Sequence, residues 1–146
     1  MVNYLASYKE LLLFEEFWVI AFRAKSDLKD SILHNHDGEF QLFHQNIRFW
    51  FADPFLFEYE GATYLFYEMF DRIKRKGVIG YSKFENNVLS KPTVILEDSF
   101  HLSFPFVYKK GNDIFMIPEC SESNKITLYN EYVAAFVPVV SLKLCH

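Results

Sequence analysis

The sequence predicts an all-β fold of antiparallel hairpin units, and three observations carry that expectation. Residues 49–68 (FWFADPFLFEYEGATYLFYE) and 100–119 (FHLSFPFVYKKGNDIFMIPE) share one layout, with Pro54 and Pro105 standing 51 residues apart and Glu68 and Glu119 the same. The composition is 51% hydrophobic and 19% aromatic, with 17 Phe and 9 Tyr, which suits an aromatic-packed sheet protein and excludes a disordered chain. Each copy also carries a glycine turn, Glu60-Gly61-Ala62 and Lys110-Gly111-Asn112, between two aromatic-rich runs, the pattern of a β-hairpin. A repeat of about fifty residues is the size of a propeller blade. The expected architecture is therefore a partial β-propeller of two to three antiparallel blades, preceded by a short N-terminal helix.

Taken in order, residues 3–17 fit a short amphipathic helix with Leu5, Leu12, Phe14 and Phe17 as its apolar positions and Ser7 as its cap. Residues 17–24 (FWVIAFRA) read as a strand, residues 25–38 as a polar loop, and residues 39–43 (EFQLF) as a further strand leading into the first hairpin. In that hairpin Tyr59 is expected opposite Thr63. Residues 77–84 (GVIGYSKF) supply a third strand and residues 92–97 (PTVILE) complete the unit. In the second copy residues 125–132 (KITLYNEY) take the third-strand place, with Tyr129 matched to Tyr81. The blade-like units span about 39–98 and 99–133 of a single incomplete domain covering 1–146. From residue 130 an apolar tail follows, read either as a divergent end or as a strand covering an open edge. An uncovered sheet edge invites pairing with another chain, so self-association through open edges is expected.

Antiparallel pairing about the first turn brings Asp53 near Glu68, two carboxylates at one end of adjacent strands. The second copy has Phe104 in place of Asp53 and keeps Glu119. With both hairpins pointing the same way, three acids share one rim, where β-repeat proteins commonly keep their sites. Each acid taken singly has a plainer role, capping a strand or ending it in solvent. For Trp50 and His101 the plainer role is packing beside the strand entrance.

Other signals point away from function. The net charge is −4, and one dense basic run, residues 72–76 (RIKRK), reads as a solvated loop, so no nucleic-acid partner is expected. Residues 11–22 are apolar, but Glu15 and Glu16 interrupt them, which argues against a secretion signal or a membrane span. Cys120 and Cys145 form neither a disulfide framework nor a metal pattern, consistent with a cytoplasmic setting. His34-Asn35-His36-Asp37 lacks further ligands nearby, so neither a metal nor a cofactor is expected.

Several segments together resemble a known family: Trp50-Phe51-Ala52-Asp53-Pro54-Phe55, Gly61, Tyr64-Leu65-Phe66, Glu68, Gly77-Val78-Ile79, His101-Leu102-Ser103-Phe104-Pro105 and Ile117-Pro118-Glu119. They resemble the N-terminal propeller domain of glucosamine inositolphosphorylceramide transferases and their bacterial relatives, over about residues 17–129. That domain is in turn similar to the five-bladed propellers of arabinanase, xylosidase, levansucrase and invertase type enzymes. The resemblance implies a base or nucleophile at Asp53 and a later-blade acid at Glu119, because glycoside chemistry needs one carboxyl ionised and another protonated. Phe104 departs from that pattern by removing an acid. So does the length, since 146 residues hold fewer than three such blades and suggest a truncated or divergent ring.

Three readings of function follow. The first is a carbohydrate- or glycoconjugate-recognising module, an accessory to glycosyl transfer and not catalytic alone, with Trp50, Glu68 and His101 contacting the sugar beside Asp53. The second is a glycoside hydrolase or glycosyl-transfer enzyme using Asp53 and Glu119. The third is a degenerate fragment whose rim is inherited packing.

Overall fold

A computed structural model describes residues 18–22, 40–43, 47–86, 88–132 and 135–143. The helix expected over 3–17, the His34–Asp37 stretch and Cys145 lie outside the described residues. The architecture is nearly all β, in three antiparallel sheets. The strands β1 (Ala21–Phe22) and β2 (Gln41–Leu42) pair with each other, and β2 leads on to the first hairpin.

The next sheet holds β3 (Phe49–Tyr59), β4 (Ala62–Asp71), β5 (Lys76–Glu85), β6 (Val88–Leu89) and β7 (Thr93–Leu96). β6 and β7 both pair with β5. The third sheet runs β8 (Ser103–Lys110), β9 (Asp113–Glu119), β10 (Lys125–Tyr132) and β11 (Ala135–Lys143), in that spatial order. Thus the apolar C-terminal segment, left open between a divergent tail and a covering strand, is a strand paired with β10 from Lys125↔Lys143 to Tyr132↔Ala135, with a register shift between Leu128 and Tyr129.

The two hairpins repeat residue for residue. Tyr59 pairs with Ala62 and Lys110 with Asp113, each at an offset of 51. The sequence-based register, Tyr59 opposite Thr63, is off by one because the loop holds two residues, Glu60 (φ 48) and Gly61 (φ 74). Positive φ at both positions matches the tight turn whose twist suits two antiparallel strands. Farther along, β3 carries one extra residue between Ala52↔Glu68 and Phe55↔Phe66, and β8 has the same bulge between Ser103↔Glu119 and Phe106↔Ile117. The left-handed residue in each bulge precedes a proline: Asp53 (φ 51) and Phe104 (φ 44). Asp tolerates that conformation, whereas a bulky Phe does so only under strain.

The third strands are offset by less. Ser82 pairs with Leu65 and Tyr129 with Met116, so Tyr129 corresponds to Ser82 rather than to Tyr81. The shorter β9–β10 connection, a 3-10 turn at Ser121–Ser123, absorbs the difference.

The bulge also reassigns faces. Phe51, Leu65, Tyr67, Met69 and Val78 face Ile20 and Phe43 in one core. Phe66, Ile79 and Leu96 face Val107, Met116, Cys120 and Tyr129 of the third sheet in a second core, with Phe55 and Phe57 packed against it. Phe51 and Phe55 differ by an even number yet lie on opposite faces, because the extra residue shifts the alternation by one.

One expectation for side chains needs correction. The basic run is not simply solvated: Arg72 is buried, and Lys74 and Lys76 both ion-pair with Glu97 at 3.2 Å. Its loop is organised by Asp71, whose carboxylate accepts the Ile73 and Lys74 backbone N–H groups and pairs with Arg48 at 2.7 Å. Burial pushes the Asp71 carboxyl up, but Arg48 and the two backbone donors outweigh it and hold the group below its ordinary value. Cys120 is buried, 3% exposed, and its thiol donates to the Lys125 carbonyl oxygen at 3.0 Å.

Candidate functional site: a carboxylate–histidine cluster at the bulges

The bulge that reorients β3 also builds the site. Because Ala52 pairs with Glu68, the displaced Asp53 stands next to the Glu68 side chain. Burial raises the Glu68 pKa, and the Asp53 carboxyl beside it adds to that rise. Asp53 reaches across to the repeat as well, where its Oδ2 accepts the Phe104 backbone N–H at 3.4 Å. The equivalent bulge residues of the two copies therefore touch.

Glu68 is 4% exposed. Its partner is His101, on the segment entering β8, with Nε2 3.2 Å from Glu68 Oε1. The two stand at ion-pair range, charged on both sides only when the imidazole is protonated, and Oε1 meets no donor in hydrogen-bond geometry. His101 Nδ1 accepts the Gly77 backbone N–H at 3.1 Å, so in the neutral ring the hydrogen sits on Nε2, facing Glu68. The His101 N–H donates to Glu122 at 3.1 Å, and Leu102 N–H donates to the Gly77 carbonyl at 3.1 Å, which zips the segment onto the start of β5. Gly77 leaves no room for a side chain: a Cβ there would lie 2.5 Å from the Leu102 carbonyl oxygen and 2.6 Å from Glu68 Oε1.

Burial pushes the Glu68 carboxyl up, His101 pulls it down, and Asp53 adds to the rise; the result is a raised pKa. The His101 imidazole is raised by its contact with Glu68, against burial, with further help from Glu122 and Glu119. A cluster of this kind presents mixed donors and acceptors to a polar ligand.

Of the residues singled out from sequence, Asp53, Glu68 and His101 come together here. Glu119 pairs with Ser103 at the equivalent place in the second copy, is exposed, and acts on His101 through its charge. Trp50 is 8% exposed and stacks on Phe70 at 4.5 Å and 16°; Phe70 in turn lies 5.8 Å from the His101 ring. Its indole thus backs the cluster and offers no open platform. Sequence reasoning missed Gly77 and Glu122 as site residues. Gly77 begins a strand, where a glycine signals close approach of other atoms, whereas Glu122 carries no local signal. Among the described residues, no group of three acidic, histidine or cysteine side chains is arranged to hold a metal ion.

Fold and cluster together define an antiparallel β-sheet domain whose tandem repeats meet at an acid–imidazole site. The chain belongs to the family described as glucosamine inositolphosphorylceramide transferase 1, N-terminal, which matches residues 44–138. Among similar proteins, glucosamine inositolphosphorylceramide transferase 1 of Arabidopsis thaliana is 38% identical over 80 residues, covering 53% of this chain and 10% of that protein. The proteins of the same name from Oryza sativa subsp. indica and subsp. japonica are each 32% identical over 80 residues, covering 53% of this chain and 11% of theirs. The chain thus spans about a tenth of the length of these relatives.

Proposed function

We propose that this chain is a carbohydrate-recognising module of partial-propeller architecture, an accessory to glycosyl transfer rather than a catalyst by itself. The two larger sheets stack face to face with β3 and β8 as neighbouring first strands, as successive blades do around an axis. The bulges then lie beside that axis. The observation carrying the proposal is the placement of Asp53, in the bulge beside Glu68, next to the Glu68–His101 pair at 3.2 Å. It supplies acceptors and a donor for sugar hydroxyls. The enzyme alternative would instead use Asp53 with Glu119, as glycoside chemistry needs one carboxyl ionised and another protonated.

The transferase names of the relatives supply the ligand class, a glycoconjugate. A glycan array and a panel of chromogenic glycosides test the reading on the purified chain. Binding that is lost in Asp53→Asn and His101→Gln, without turnover of any glycoside, is the expected result. Turnover abolished by Asp53→Asn would replace the module with an enzyme, and silence on both panels would leave a packing role alone.

A further inference from the structure

At the opposite end of the same strands lies a second site of different chemistry. From Asp53 to Tyr59 the strand rises about 20 Å, and there the two larger sheets splay around a cavity of about 180 Å3. Phe57, Tyr59, Tyr64, Phe66 and Tyr81 line it, together with one carboxylate, Glu131 of β10. The five rings form a connected wall. Tyr59 stacks on Phe57 at 6.3 Å, Phe57 meets Phe66 edge-on at 6.3 Å, Phe66 lies 5.8 Å from Tyr81, and Tyr81 lies 6.2 Å from Tyr64.

We infer that this cleft binds a small organic cation, a quaternary or protonated amine with an apolar body. Three observations converge on that class. Aromatic faces carry negative potential and attract a cation that has shed part of its water. The wall already does so once, since the Lys109 ammonium sits 4.9 Å from the centroid of the Tyr59 ring. The charged side chain lining the cavity is an acid, and Glu60 also acts on the Tyr59 phenol, so two carboxylates stand against the one ammonium of Lys109 at that ring. The volume is below the 300–1,000 Å3 or so that drug-sized ligands occupy, which sets the size of the occupant. An anion or an extended sugar fits neither the charge nor the space.

Tetramethylammonium chloride is the probe, titrated into the full chain while the tyrosine ring resonances are followed by NMR. Sodium chloride controls for ionic strength, and tert-butyl alcohol supplies a neutral molecule of the same shape. Saturable shifts at Tyr59, Tyr64 and Tyr81 are expected, with tert-butyl alcohol about tenfold weaker. Tyr81→Leu keeps the cavity apolar while removing a ring, and should weaken the cation alone. Glu131→Gln is an exposed change that leaves the fold intact, and should weaken it several-fold. Equal affinity for the neutral probe would overturn the inference, as would the absence of saturation or binding unchanged in both folded variants. None of these outcomes touches the Asp53 cluster, so the two sites stand or fall separately.

Discussion

Replacing Gly77 with alanine tests the geometry of the site through stability. The added Cβ would stand 2.5 Å from the Leu102 carbonyl oxygen, 2.6 Å from Glu68 Oε1 and 3.0 Å from His101 Cε1, where ordinary contact begins at 3.4 Å. The first neighbour is backbone and the second is the end of a buried, ion-paired side chain, so neither yields cheaply. Relief means moving the segment through His101 and Leu102 off β5 by most of an ångström, which breaks the Leu102-to-Gly77 and Gly77-to-His101 bonds. Overpacking of this kind costs about 3 kcal/mol, at the upper end of its usual range. For 146 residues the entropy of unfolding is about 0.3 kcal/mol per K, so the melting temperature should fall by about 10 °C. Gly61→Ala is the control. That position has open space around it but a φ of +74, so it should lose about 1 kcal/mol, or about 3 °C, for a conformational reason alone. Thermal melts followed by circular dichroism compare the two. If Gly77→Ala melted no lower than Gly61→Ala, the close approach of Glu68, His101 and Leu102 to β5 would be wrong.

Three further outcomes follow. Phe104→Gly should raise the melting temperature by a few degrees, since Phe104 is 60% exposed, has little burial to lose, and holds a φ of 44 that costs an L-residue about 1–2 kcal/mol. NMR titration should place the His101 imidazole above its ordinary 6.5, and Glu68→Gln should return it toward that value. Because the folded pKa is the higher one, the stability His101 contributes is full below pH 6.5 and fades as pH rises through the folded value; a melt series against His101→Gln reads this directly. Finally, Phe106, Tyr108, Phe115, Ile117 and Leu128 occupy the repeat positions of Phe55, Phe57, Tyr64, Phe66 and Tyr81, the face with which the second sheet packs on the third. Sedimentation should therefore show concentration-dependent self-association, abolished in the Phe106→Lys/Phe115→Lys double variant; a monomer at all concentrations would refute it.

Much of this protein is written locally. The duplicated hairpins follow from two glycine turns between aromatic runs, and the offset of 51 fixes which residues correspond. The neighbourhood of Asp53 and Glu68 follows from pairing about the turn, since antiparallel register is short-range arithmetic. That arithmetic slips wherever the backbone inserts a residue without a local signal. The bulges at Asp53 and Phe104, the two-residue loop at Glu60-Gly61, and the correspondence of Tyr129 with Ser82 each moved a partner by one.

What sequence alone determined is therefore the two hairpins with their third strands, their antiparallel sense and the pairing that brings Asp53 near Glu68. Tertiary structure alone decided that His101 is Glu68's partner, that Gly77 holds its imidazole and Glu122 its backbone in place, and that Trp50 is packed behind the cluster. It also decided that five rings from one sheet and Glu131 from another enclose a cavity. The physical reason is the range of the forces concerned. Turn and strand preferences act between residues a few positions apart, whereas a pairing across 33 positions, as between Glu68 and His101, exists only once burial has pressed two sheets together.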